Sequence, residues 1–136
     1  MSRFNSALIF AGWLLLPFPA LSQILPDNTL GGSPSQVLPE TINNLPSDRI
    51  SGGAVRGSNL FHSFQEFNVN SGRGAYFDNP NGITNIFSRV TGNNPSNILG
   101  RLGVLGNANL FLINPKGIVF GPEAVRFAGV VFRHYG

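Results

Sequence analysis

The chain has no cysteine among its 136 residues, which excludes a disulfide scaffold and a thiolate metal site. Exported proteins can also lack disulfides, so this leaves the compartment open. Charge is scarce as well. Only 11% of residues are charged, with 9 basic and 6 acidic residues giving a formal +3. The basic residues are scattered, so no nucleic-acid partner is expected. His62 and His134 are far apart and sit in no ligand cluster, so no metal site and no cofactor is expected. No apolar run reaches the ~20 residues of a membrane-spanning helix, so no stable transmembrane insertion is expected. Long helical stretches are missing too, because 17 glycines and 10 prolines interrupt the chain.

The amino terminus reads as an address. Arg3 precedes an apolar run from Ala7 through Leu16, Pro17 and Pro19 break any helix, and Ala20-Leu21-Ser22 offers the small residues of a cleavage site. Residues 1–22 are expected to be a signal peptide, leaving Gln23 first in the mature chain. In the segment 23–48, Pro26, Gly31, Gly32, Pro34, Pro39 and Pro46 prevent long elements. That segment fits either a linker or an extended cap over the open end of a β-stack.

The stretch Asn107 to Gly121 sets the pattern for the rest. Leu110 to Ile113 form one apolar run, Asn114-Pro115-Lys116-Gly117 a turn, and Ile118 to Phe120 a second run closed by Gly121-Pro122. This is strand, corner, strand. Gly52-Gly53 and Gly57-Ser58 bracket a short strand at Ala54-Val55-Arg56. Asn59 to Val69 reads as a local bend passing into a strand, and Ala75 and Phe77 continue a period of two. Asp78 to Gly82 forms the next corner. Ile83, Ile86 and Val90 are spaced for a short helix or for irregular strands, and Gly92-Asn93-Asn94-Pro95 is a strong turn. From Leu102 onward apolar groups recur about every eight residues, which fits a sandwich or a solenoid of short strands. Two features favour the solenoid. The run Leu110 to Ile113 is apolar on both sides, as in a strand with a core beneath it and an added sheet or cap above. The asparagine-proline and glycine-proline corners redirect the chain without reversing it.

Catalytic patterns are weak. Ser63, His62 and Glu66 lie close along the chain but lack a nucleophile elbow or an oxyanion site. Asp78 and Glu123 are the candidate carboxylate pair for glycan cleavage, and nothing in their spacing pairs them. No catalytic residue is assigned.

Three blocks then appear in order. They are Gly57-Ser58-Asn59-Leu60-Phe61-His62-Ser63-Phe64-Gln65-Glu66-Phe67-Asn68-Val69; Ile86-Phe87-Ser88-Arg89-Val90-Thr91-Gly92 with Ser96-Asn97-Ile98-Leu99-Gly100; and Asn107 through Gly121. Together they resemble the amino-terminal two-partner secretion domain of the filamentous haemagglutinin family, in wording most similar to cyanobacterial members. The resemblance covers roughly Leu38 to Phe127.

The resemblance implies an all-β fold: a right-handed parallel β-helix with an amino-terminal cap and an accessory β-sheet. The secretion domain proper would span 49–128. It also implies a nonenzymatic domain that targets an adhesin-like exoprotein for secretion. Its partner would be a dedicated outer-membrane β-barrel transporter, whose periplasmic polypeptide-transport-associated domains recognise it. The product would pass the inner membrane and end secreted or attached to the cell surface. The alternative is a truncated surface or periplasmic structural module without a secretion role. Candidate recognition residues by motif are Asn114, Pro115, Gly117 and Ile118, with Asn59, Phe61, Phe64 and Phe67 as a second group, the aromatics favouring core packing. Lys116 stands where the family motif most often has asparagine. Asn79-Pro80-Asn81-Gly82 has that motif's wording at an earlier place and reads as a corner. Residues 129–136 diverge from the family, which reads as a truncated or frameshifted reading frame.

Overall fold

The computed structural model describes residues 23–122, 124–126 and 130–133. The expected signal peptide and Glu123 lie outside them. Every regular element among the described residues is a β-strand, as the density of glycine and proline corners requires. In chain order these are β1 (Ile24–Pro26), β2 (Ser35–Ile42), β3 (Leu45–Gly52), β4 (Ala54–Arg56), β5 (Asn59–Phe67), β6 (Gly74–Asp78) and β7 (Asn85–Val90). They continue with β8 (Ser96–Ile98), β9 (Arg101–Leu105), β10 (Asn109–Ile113), β11 (Ile118–Phe120), β12 (Val125–Arg126) and β13 (Val130–Arg133).

The strands form three sheets, ordered β2-β3-β6-β9-β12, then β1-β5-β7-β10-β13 with β4 also on β5, and finally β8-β11. The chain visits them in the same sequence each time: β3, β5 and a bridge at Val69; then β6, β7, β8; then β9, β10, β11; then β12, β13. Strands of successive circuits pair parallel and in register. Ser47, Gly74 and Arg101 align across β3, β6 and β9, so those circuits repeat after 27 residues (74 − 47 and 101 − 74). Residues 130–133 of the divergent ending take part, because β13 lies parallel to β10 with Leu110 opposite Val130. Among the described residues no strand lies outside these three sheets, so the expected accessory sheet has no separate counterpart there.

Among the described residues antiparallel pairing is confined to the amino-terminal part. β2 pairs with β3 from Ser35↔Gly52 to Ile42↔Leu45, while β1 and β4 pair with the two ends of β5. The β2–β3 connection is the two residues Asn43 and Asn44, at φ 53° and 60°. That left-handed pair closes a tight hairpin, and asparagine tolerates it better than most residues. The segment after Gln23 is therefore hydrogen-bonded to the stack and not a free linker, and Asp48 falls inside β3. Arg49 on β3 reaches Glu40 on β2 at 3.3 Å and Asp78 on β6 at 2.6 Å, joining three strands.

One local expectation changes and one open alternative closes. Asn59 to Phe67 is one strand, not a bend, with a register shift where Leu25 faces Glu66 and Pro26 faces Phe64. Skipping Gln65 reverses the alternation, so Phe64 and Phe67 both enter the core although they are three positions apart. For Ile83, Ile86 and Val90 the strand alternative holds and the helix does not. Ile86, Ser88 and Val90 alternate inward along β7, and Ile83 is buried in the corner before it. The helical spacing came from that corner residue.

The core runs between the sheets. Phe64, Phe67 and Phe77 are fully buried and pack with ring centroids 5.2 to 6.4 Å apart, flanked by Ile50, Leu60, Ile86, Ile98, Leu102, Leu110 and Leu112. At the corners neighbouring circuits touch backbone to backbone. A Cβ on Gly92 would overlap the Gln65 carbonyl oxygen. Gly92→Ala is expected to lower stability by about 1–3 kcal/mol through overpacking. Gly82 has positive φ but open space around it, so Gly82→Ala is expected to cost only about 1 kcal/mol. Urea unfolding followed by circular dichroism compares the two, and an equal or reversed ranking would contradict the close-contact argument.

Candidate functional site

The outward face of the β5 sheet is built in rows, because parallel in-register strands set equivalent residues beside one another. Asn59, Asn85 and Asn109 align, and so do Phe61, Phe87 and Phe111. Asn85 Nδ2 donates to Asn59 Oδ1 at 3.2 Å, and Asn109 Nδ2 donates to Asn85 Oδ1 at 3.3 Å. The phenyl rings stack with centroids 5.3 and 4.8 Å apart. Each stacked pair contributes about 0.5–1.5 kcal/mol beyond its burial. This ladder is what covers the outer side of Leu110 to Ile113: Leu110 and Leu112 point inward, while Phe111 and Ile113 are half-buried outside.

Beyond the phenyl row lie Ser63, Arg89 and Ile113. Asp27, just after β1, joins this row. Its Oδ1 accepts from the Thr29 amide at 3.0 Å and hydroxyl at 2.7 Å, and its Oδ2 accepts from Ser63 Oγ at 2.7 Å and from Thr91 Oγ1. Arg89 donates from Nε to Ser63 Oγ at 2.9 Å and from Nη2 to Thr29 Oγ1 at 2.8 Å. Burial pushes the Asp27 carboxyl up, but hydrogen bonds from Thr91, Thr29 and Ser63 outweigh it and hold the pKa at about 2. The carboxylate thus ties the amino-terminal segment to β5 and to the end of β7. Sequence reading missed this cluster. Its members are spread over 64 residues, from Asp27 to Thr91 (91 − 27), and no local pattern joins them.

His62 and Ser63 point to opposite faces of β5, so they form no catalytic pair. Ser35 Oγ accepts the Ser63 amide at 3.1 Å and lies 2.9 Å from His62 Nδ1. Either Ser35 Oγ or His62 Nδ1 can be the donor of that second bond, according to the imidazole tautomer. Among the described residues His62 Nε2 has no hydrogen-bond partner, and neither does the hydroxyl of Ser88, the register neighbour of His62 on β7. Burial lowers the His62 pKa to about 4, against a smaller upward pull from Asp78.

The corner singled out in the sequence is a true turn. Gly117 N donates to Asn114 O at 3.0 Å, and the Lys116 amide donates to Asn114 Oδ1 at 2.9 Å. Asn114 is fully buried, and its Nδ2 donates to Asn94 O and Ser96 Oγ, both at 3.0 Å, binding the corner to the preceding circuit. Lys116 and Pro115 are exposed, and Ile118 is half-buried against the core opposite Ser96. The earlier Asn79–Gly82 segment is a corner in its own right, with Ile83 N donating to Pro80 O at 3.2 Å. Of the eight candidates, Phe64 and Phe67 are buried in the core. Asn59 and Phe61 stand on the outward ladders. Asn114, Pro115, Gly117 and Ile118 form a separate corner, from which Ile118 packs against the core cluster that holds Phe64 and Phe67.

A protein-family model described as the TPS secretion domain matches residues 22–125, most of the chain. The chain belongs to the two-partner secretion domain family. No curated protein and no solved structure matches it. A TPS domain is a targeting module, not a catalytic family, and it implies a partner transporter in the outer membrane through which its product is secreted.

Two predictions concern these sites. Asn114→Ala leaves the Asn94 carbonyl and the Ser96 hydroxyl without their buried donor, at a cost of about 1–3 kcal/mol. Gly117 has φ 112°, and a Cβ there would meet only Pro95 at 3.9 Å. Gly117→Val is therefore expected to cost about 1–2 kcal/mol from backbone conformation alone. Urea midpoints measure both, and an unshifted midpoint would contradict the corner's role. The second prediction follows from His62, whose pKa falls from 6.5 to about 4 on folding. Its contribution is complete above pH 6.5 and is lost as the pH falls to about 4, because the unfolded chain binds the proton first. The loss is roughly 3 kcal/mol. Unfolding free energies across that window should fall for the native chain and stay flatter for His62→Gln; equal slopes would contradict a buried neutral imidazole.

Proposed function

We propose that this TPS domain directs an adhesin-like exoprotein to a dedicated outer-membrane β-barrel transporter, whose periplasmic polypeptide-transport-associated domains bind it before the chain is passed outward. The family match over residues 22–125 carries this reading. In this proposal residues 1–22 are a signal peptide removed during inner-membrane export, 23–48 belong to the amino-terminal cap, and 49–128 to the secretion domain. The folded form is a right-handed parallel β-helix. The three in-register circuits, with antiparallel strands only at the amino-terminal edge, support that architecture.

Recognition falls to groups that a partner can reach. On the folded chain these are Asn59 and Phe61 on the ladder face, and Pro115 at the exposed corner. Asn114, Gly117 and Ile118 hold that corner in place, and Phe64 and Phe67 act through the core. Strand-edge and side-chain contacts of this kind combine affinity from the backbone with specificity from the pockets.

The test is secretion of the intact coding sequence with its neighbouring transporter coexpressed or omitted. Transporter-dependent appearance of the mature chain in the medium is expected. Periplasmic accumulation under both conditions, with inner-membrane export verified, would overturn the targeting role and favour a purely structural module.

A further inference from the structure

The row of rings on the outward face is incomplete. Ala54 on β4 stands opposite Phe61, so the row reads Ala54, Phe61, Phe87, Phe111 from the sheet edge inward. β4 supplies a methyl group where the next ring of the stack would stand. A groove of about 430 Å³ opens there, with Leu30 on its rim and Phe61 and Phe87 along it.

Two cations flank this groove. Arg56 stands opposite Asn59, two residues from the ring row on one side. Arg89 stands opposite Ser63, two residues from it on the other. Both line the groove and both are exposed. Among the described residues neither is ion-paired: Arg56 Nη1 donates to its neighbour's carbonyl, Val55 O, at 2.8 Å, and Arg89 bonds only hydroxyl groups. Arg49 and Arg73, by contrast, are matched to carboxylates on the β3 sheet. An apolar groove between two guanidinium groups, that of Arg56 without a carboxylate and that of Arg89 joined to Asp27 only through the Ser63 and Thr29 hydroxyls, fits a ligand with one ring and two carboxylates. In an extended segment, alternate residues share a face and rise about 6.7 Å per pair. Acids placed two residues before and after an aromatic residue therefore match the spacing of the arginine rows about the ring row.

We propose that this groove receives an extended segment of the partner transporter, patterned acid, any residue, aromatic, any residue, acid. The aromatic ring continues the phenyl stack over Ala54, and the carboxylates pair with Arg56 and Arg89. The identity of the occupant rests on the secretion reading above.

The groove can be tested with the full secreted chain and a fluorescein-labelled peptide of sequence Asp-Ser-Phe-Ser-Asp. Saturable binding by fluorescence anisotropy is expected. It should weaken at least tenfold for the neutral peptide Asn-Ser-Phe-Ser-Asn, for the ring-free peptide Asp-Ser-Ala-Ser-Asp, and for Arg56→Glu, whose exposed side chain leaves the fold intact. Ala54→Phe fills the vacancy from within and should also block binding. Absence of saturable binding, or equal affinity for the neutral peptide and for Arg56→Glu, would overturn the proposal. In cells, a photoreactive benzoylphenylalanine replacing Leu30 is expected to cross-link to the coexpressed transporter. Transporter-dependent secretion without that adduct would overturn the groove's role and leave the targeting function standing. Secretion indifferent to the transporter would overturn both.

Discussion

A stack of parallel strands cannot satisfy the backbone of its own first member. Each strand finds its donors and acceptors in the circuit before and the circuit after, and the first has only one of these. Here the opening segment resolves the problem by reversing direction: β2 lies antiparallel on β3, and β1 and β4 share the edge of β5. The positive φ values at Asn43, Asn44 and Gly57 are the local cost of those reversals. Asp27 and Arg49 then attach the reversed strands to later circuits through side chains.

Once the register is established, it propagates. Equivalent positions of successive strands must be alike or compatible, and the rows show it: Leu60, Ile86 and Leu110 inside, asparagines and phenylalanines outside. The strands hold this order while the corners absorb differences in length. The step from Asn59 to Asn85 takes 26 residues and that from Asn85 to Asn109 takes 24 (85 − 59 and 109 − 85). Gly92 and Asn114 lie at corners where adjacent circuits touch, so their size and hydrogen bonding are tightly constrained although they belong to no strand.

Sequence patterns disclosed the strands from Asn107 to Gly121, the short strand at Ala54 to Arg56 and the glycine-bearing corners, because those signals are local. The Asn43-Asn44 hairpin had a local signal too, a two-residue asparagine pair between paired runs, but prolines in the same segment obscured it. The inward course of both Phe64 and Phe67 depends on where β1 pairs, and Ile83 mimicked a helical period from within a turn. The asparagine and phenylalanine ladders became visible only with the register, since their members are separated by whole circuits. Asn59 and Phe61 were singled out with Phe64 and Phe67 as one block, yet strand alternation and the shift at Gln65 send the first pair outward and the second pair inward.

The Asp27 carboxylate has a kinetic meaning. Its partners emerge at very different times from any process that releases the chain from its amino terminus: Thr29 at once, Ser63 after the first circuit begins, Thr91 only when β7 is complete. The opening segment can therefore touch the stack early, but it is fully anchored only after a second circuit has formed. The amino terminus is thus the first part to appear and among the last to be secured, with each added circuit tightening what precedes it.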